Sequence, residues 1–330
     1  MNFNPTVSVC CITYNQELYI AQTIEGFLIQ KTNFPIEIII HDDASTDKTR
    51  QIVSEYAEKY PELIVTIFQT ENQYSRIAGN ILTKFVFPRA NGKYFAVCEG
   101  DDYWIDPNKL QKQVDFLESN PDYGLVYTKV RMFIQQENCF SKNAFGKPFD
   151  SFESLFISNG IPTATALFRG ALLKEYYSDI FPFTSSWKME DYPLWLSISH
   201  QSKVHLINDI TCIYRILPES ASHSKKRHAT LFFLNNVFLI KNFFAVRYGV
   251  QKNTIDNFTL LHYLETIYLA YLCHDYQHIN NAKIYFNKNK YYSLLLFLRI
   301  FDSNKKYIIT MRIINRLMNS YANLSGMVHR

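Results

Sequence analysis

The stretch AVCEGDDYWIDPNKL, residues 96 to 110, sets Glu99, Asp101 and Asp102 directly behind an apolar run. Neighbouring carboxylates repel, which raises their pKa values and costs stability unless positive charge sits among them. Oxygen ligands on one short turn suit Mg²⁺ or Mn²⁺, which take carboxylates and complete their shell with phosphate oxygens and water. Glu99 and Asp101, two apart, leave the strand end together, with Asp102 placed as an outer-shell acceptor. The plain alternative is a solvated acidic turn. Cys98, Tyr103 and Trp104, crowded around these acids, argue against it.

Two more acidic pairs raise the same choice. In IEIIIHDDASTDKT, Asp42 or Asp43 at a strand end can accept the N3–H of a uracil or thymine ring. The pair can equally form an Asx-type turn and cap the next helix, which Ser45 and Thr46 can also do. In SWKMEDYPLWLSISH, Glu190 and Asp191 precede an amphipathic segment containing Leu194, Trp195 and Ile198. They read as a general base at the rim of a cleft or as first-turn acids stabilised by the helix dipole. Arg215 and His223 lie in IYRILPESASHS, and a lone His in a polar loop usually carries no function.

The elements that must position these groups alternate. TVSVCCITYN, IEIIIHDD, ELIVTIFQ and GKYFAVCEG read as buried strands. Between them lie helices marked by Ile20, Ile24, Phe27 and Leu28, by Ile52, Val53, Tyr56, Ala57 and Tyr60, and a third over residues 79–90. Leu110, Val114 and Leu117 mark another helix, and GLVYTKVRMF follows as a strand. Strand–helix alternation with short connections predicts a mostly parallel α/β sheet with flanking helices. Such sheets bind ligands outside the carboxyl ends of their strands. Asp42-Asp43 and Glu99 to Asp102 both follow strands, so they point to one edge. That shared edge is the first sign that the charge is a site.

A chain of 330 residues with 47% hydrophobic residues can bury a sizeable core. Its six Cys show no metal-type spacing and read as reduced core thiols of a cytoplasmic protein. The N-terminus has no signal-peptide pattern, and no apolar run is long enough to span a bilayer. There is no GxGxxG after the first strand and no GxxxxGK[ST], which argues against dinucleotide and P-loop chemistry. The net charge of +4 is unevenly spread: residues 225–330 hold 15 Lys and Arg against 4 acids. Two regions are therefore expected, 1–224 and a basic, helical 225–330.

Taken in order, these segments resemble the family 2 glycosyltransferases of the GT-A fold, among them bacterial cell-surface polysaccharide enzymes. The resemblance covers residues 6–224, through VSVCCITYNQE, IIIHDDASTD, AGNILTKFVFPRANGKYFAVCEGDDYW and EDYPLW. It implies an inverting transfer of one sugar from a nucleotide-sugar, UDP-linked in the first instance, to a glycan or lipid-linked glycan acceptor. It implies no nucleic-acid partner. By resemblance Thr13, Tyr14, Asn15, Glu17, Asp42, Arg76, Glu99 and Gly100 line the nucleotide pocket, and Asp43 receives the pyrimidine. The DxD motif falls on Glu99-Gly100-Asp101, so Asp101 becomes a ligand of Mn²⁺ or Mg²⁺, joined by His223. Glu99 departs from the usual first Asp and adds a methylene. Asp191 matches the catalytic base, with Asp102, Trp104 and Glu190 behind it or on the acceptor side. QxxRW is absent after Asp191, which favours single-sugar addition.

The basic C-terminal region lies outside the resemblance. Its apolar helices suit peripheral contact with an anionic membrane at the inner face of the cell, or a packing module or homodimer interface. Two other functions fit an acidic α/β edge. A nucleotidyltransferase needs a Gly-rich basic loop after the first strand, which TYNQELY is not. A receiver-type domain gathers its acids at the first strand end, where this chain has Tyr14-Asn15. An inactive sugar-nucleotide-binding protein is separated only by an activity measurement.

Overall fold

In the computed structural model, which describes residues 4–77, 80–218 and 227–289, the first strand, β1 (Val7–Thr13), lies between two parallel neighbours. The chain then runs through α1 (Ile20–Leu28), β2 (Ile36–Asp42), α2 (Thr49–Lys59), β3 (Ile64–Phe68), α3 (Gln73–Ile77) and β4 (Tyr94–Glu99). Next come β5 (Tyr103–Trp104), α4 (Lys109–Ser119), β6 (Tyr123–Ile134), β7 (Cys139–Phe145), α5 (Phe152–Ile157) and β8 (Leu167–Arg169). The short α6 (Leu173–Glu175), then α7 (Asp191–Gln201) and β9 (Lys203–Ile216), complete the first of two compact units, Met1–Pro218.

The sheet order is β3-β2-β1-β4-β8-β6-β9-β5, with β7 beside β6. The first four strands are parallel, and β8 enters antiparallel between β4 and β6. Alternation alone predicts the parallel half. It does not show β8, only three residues long, or the antiparallel β5–β9 and β6–β7 pairs, because antiparallel strands need no helical crossover. Register fixes the edge: Thr13 pairs with Asp42 on one side, and Ile12 with Glu99 on the other. The strand order reverses at β1, so these residues surround a topological switch point.

The core joins Val7, Val9, Cys11, Ile38, Ile40, Ala96 and Cys98 of the strands to Ile24, Phe27, Leu110 and Val114 of the helices. Gly26 lets α1 lie against β5, since a Cβ there would stand 2.8 Å from Trp104 N. The helix expected over 79–90 instead breaks into a π-helical turn, Leu82–Val86, and a 3₁₀ turn, Phe87–Arg89. Pro88 supplies no N–H to continue the ladder. α7 differs too: Tyr192 to Ser199 are all buried, so it is a core helix rather than an amphipathic one.

The second unit contains α8 (Arg227–Tyr248), α9 (Lys252–Cys273) and α10 (Tyr276–Lys288). Leu231, Ala270 and Ile279 meet in its core. Asn235 on α8 has a polar partner: its Nδ2 lies 2.9 Å from His278 Nε2. The apolar stretches 291–301 and 307–318 of the basic C-terminal region lie outside the described residues.

Candidate active site

The loops after β1 and β2 are tied together before any ligand arrives. Asn15 N donates to Ser45 Oγ at 2.9 Å, and Thr46 N donates to Asn15 Oδ1 at 2.8 Å. Glu17 N donates to Asp47 Oδ2 at 3.0 Å, while Lys48 N donates to Glu17 Oε2 at 2.8 Å. Asn15 and Ala44 take left-handed φ values of 50° and 63°, which Asn tolerates and Ala pays for. Ser45 and Thr46 thus serve Asn15 rather than capping α2, whose N-terminus has no side-chain cap.

Asp42 and Asp43 are both buried. Asp42 Oδ2 accepts from Ser45 N at 3.2 Å, an Asx-like turn, and its Oδ1 is buried with no hydrogen-bond partner. Asp43 accepts from Gln73 N at 2.7 Å and Tyr74 N at 2.9 Å, so its carboxylate caps α3 rather than α2. Each of its oxygens keeps a second lone pair, so capping and base contact are compatible.

At the end of β4 the acids crowd. Glu99 is pushed up to about 8, first by burial and then by the charges of Asp101, Asp191 and Glu190. Glu99 Oε2 is buried without a hydrogen-bond partner. Burial also raises Asp101 and Asp102. Gly100 is a point of close approach: a Cβ would lie 2.5 Å from Gln16 Oε1 and 2.8 Å from Thr13 Cβ.

Among the described residues no group of three or more His, Cys, Asp or Glu could hold a metal alone. A Mg²⁺ or Mn²⁺ site with one or two carboxylates plus diphosphate oxygens fits that count. Asp101, together with the unpartnered Glu99 oxygen, fits the protein's share. His223 lies outside the described residues.

Asp191 opens α7 and Glu190 precedes it. Glu190 accepts from Leu82 N at 3.0 Å and Thr83 N at 2.5 Å, so it caps the π-helical turn. Burial pushes its carboxyl up to about 7. Asp191 Oδ2 accepts one hydrogen bond, from Thr163 Oγ1 at 2.6 Å. Of the two acids, Asp191 has the fewer hydrogen bonds within the protein.

Three expected residues sit differently. Trp104 is only 1% exposed, edge-on to Phe27, with Nε1 donating to Ala164 O at 2.7 Å. It is a core residue beneath the acidic turn, not part of an acceptor face, because its indole finds both packing and a hydrogen bond inside. Arg76 is exposed and paired with Glu71, so it does not join the strand-end acids. Tyr14 is 45% exposed at the loop tip.

Arg215 is the residue that sequence reasoning undervalued. Its N donates to Asp102 Oδ1 at 2.8 Å, and its guanidinium donates to Asp101 O and to Gln22 Oε1. The same guanidinium lies over the rings of Tyr19 and Tyr103, at 5.0 and 4.5 Å. A buried cation therefore braces the acidic turn from β9. Its sequence context, IYRIL, marks it as a strand arginine, but a partner far along the chain leaves no local signal.

The acids at the ends of β2 and β4 thus line the switch-point edge of a mostly parallel α/β sheet. The family described as Glycosyl transferase family 2 matches residues 8–177, more than half the sequence, and the chain belongs to that family. An uncharacterized Mycobacterium tuberculosis protein is 39% identical over 166 residues, 49% of this chain and 46% of that protein. The chain thus spans about half the length of that relative. The Escherichia coli UDP-Glc:alpha-D-GlcNAc-diphosphoundecaprenol beta-1,3-glucosyltransferase WfgD is 28% identical over 265 residues, 76% of this chain and 96% of WfgD. Among solved structures, the mannosyltransferase PcManGT from Pyrobaculum calidifontis, in complex with GDP-Man and Mn²⁺, aligns with a TM-score of 0.57 at 17% identity. That alignment covers 98% of this chain and 88% of PcManGT, and at that identity it speaks to the fold alone.

Proposed function

We propose that the protein is an inverting, metal-dependent glycosyltransferase that moves one sugar from a UDP-sugar to an acceptor hydroxyl in surface polysaccharide or glycolipid synthesis. The observation that carries this reading is the acidic end of β4 at the switch point of the sheet. Glu99 there keeps an unpartnered buried oxygen, and burial together with the charges of Asp101, Asp191 and Glu190 raises its carboxyl. A bound Mn²⁺ or Mg²⁺ supplies charge neutralisation for the departing diphosphate. Thr13, Asn15, Glu17 and Asp42 shape the nucleotide pocket, and Asp43 accepts the pyrimidine N–H. Asp191 takes the proton of the acceptor hydroxyl, which attacks the anomeric carbon on the side away from the nucleotide. A nucleotide-sugar panel scored by UDP, TDP or GDP release and by thermal stabilisation tests the reading. We expect Mn²⁺-dependent release from a uridine or thymidine donor. Tighter binding of ADP or GDP than of both UDP and dTDP would refute the role given to Asp43.

A cytoplasmic enzyme with a lipid-linked acceptor needs a membrane-facing surface, and residues 225–330 are the proposed one. Arg227–Tyr248 passes the length and apolarity of a membrane span, a weak signal by itself. Phe232, Leu239 and Val246, spaced by seven along α8, are exposed. In a region with 15 Lys and Arg against 4 acids, this face suits shallow binding to anionic lipid, which salt weakens. Sedimentation with phosphatidylglycerol vesicles should recover the protein at low salt and lose it near 0.5 M NaCl. Failure to sediment at low salt would assign the unit to packing or dimerisation.

A further inference from the structure

One 3₁₀ turn, Thr163–Thr165, connects the two halves of the site. Thr163 Oγ1 donates to Asp191 Oδ2 at 2.6 Å. The next residue reaches the other half: Ala164 O accepts from Trp104 Nε1 at 2.7 Å, two positions beyond Asp102. Thr165 anchors the turn, its Oγ1 donating to Thr128 O at 3.0 Å and its carbonyl accepting from Gln113 Nε2 at 2.8 Å. Beyond it, Val97 N of β4 donates to Ala166 O at 3.1 Å. Residues 163–166, hydrogen-bonded at one end to the strand that ends in Glu99 and at the other to the carboxylate of Asp191, therefore link the two. Ala164 and Thr165 are buried, while Thr163 is half-buried.

A carboxylate free to rotate offers its lone pairs in many directions. A hydroxyl held at 2.6 Å on Oδ2 fixes its plane and leaves Oδ1 to receive a proton. We propose that Thr163 is a positioning residue for Asp191, and that the Thr163–Thr165 turn sets the separation between the acidic turn and the base. This rests on the reading of Asp191 as the base. It adds a residue that neither its surroundings in the sequence, GIPTATALF, nor its composition marks. Misplacing a reacting group by about 1 Å can cost on the order of 10² in rate.

The test compares Thr163→Val, which keeps the shape and removes the donor, with Thr163→Ser, which keeps the donor. Turnover is read as nucleotide release from the best donor of the panel with Mn²⁺, water serving as acceptor. Thr163→Val should lower kcat by about 10- to 100-fold, with donor KM and stabilisation by UDP and Mn²⁺ within about twofold of wild type. Thr163→Ser should recover to within about threefold. On an Asp191→Asn background Thr163→Val should add little, because groups acting as one unit are not additive. If Thr163→Val proves unstable, Thr163→Ala gives the same comparison with less volume in the turn. Wild-type kcat in the variants lacking the hydroxyl, or an equal loss on the Asp191→Asn background, overturns the proposal. An active Asp191→Asn single variant instead removes the base assignment on which it rests.

Discussion

Asp191→Asn should lower turnover by about 10² to 10⁴ while UDP with Mn²⁺ stabilises the variant as it does the wild type. The substitution keeps size and one oxygen, so Thr163 can still donate to it, but it removes the basicity. The proposed nucleotide contacts come from the ends of β1, β2 and β4 rather than from α7, so they should survive the substitution. Glu190 must be tested beside it, since its carboxyl is pushed up to about 7 and would suit proton transfer. Geometry decides between them: both Glu190 oxygens are taken by Leu82 N and Thr83 N. Glu190→Gln can accept only one of those bonds, so it should cost on the order of 1–3 kcal/mol of stability and less than tenfold in turnover at temperatures where it is folded. If Asp191 were only a first-turn acid, its loss would cost on the order of 1 kcal/mol through the helix dipole and leave turnover intact. Near-normal turnover by Asp191→Asn would sink the mechanism.

The candidate site was legible where its signal is local. A strand buried on both faces reads as a continuous apolar run, and an acid directly behind it has nowhere to go but the sheet edge. Hence IEIIIHDD and FAVCEGDD placed Asp42, Asp43, Glu99 and Asp101 correctly at one edge, and register confirms it, with Thr13 beside Asp42 and Ile12 beside Glu99. Non-local partners left no such trace. Arg215 braces Asp102 from 113 residues away, and Thr163 meets Asp191 across 28. Trp104 misled for a related reason. An indole beside a cluster of acids looks like a ligand platform, yet the space opened by Gly26 and the carbonyl of Ala164 draw it inward. The antiparallel β8 escaped because three residues carry no period. The amphipathic reading of α7 failed because polar Ser197 and Ser199 are buried along with its apolar face.

Asp101→Asn should remove most of the Mn²⁺-dependent stabilisation by UDP without weakening the ligand-free protein. Ligand at a hundredfold excess over its Kd adds about 2.7 kcal/mol. For a domain of this size that corresponds to roughly 5–10 °C in Tm, and the variant should forfeit most of the metal-dependent part. The ligand-free comparison follows from linkage. Burial raises Asp101, so folding favours its neutral form, and Asn supplies that form at every pH. Glu99 adds a pH signature. Its folded carboxyl titrates near 8 against an ordinary value of 4.5, so the folded state holds a proton that the unfolded chain has released. That stabilisation is complete below about pH 4.5 and is lost as pH rises towards 8. The ligand-free wild type should therefore show a falling Tm between pH 5 and 8, and UDP with Mn²⁺ should flatten the fall by offsetting the same negative charge. Asp101→Asn should follow the ligand-free curve at or above wild type, whether or not Mn²⁺ is present. A full Mn²⁺-dependent shift in that variant would show that the cation sits elsewhere. A Tm that is flat with pH in the ligand-free wild type would show that the acids at the β4 end do not share a buried space.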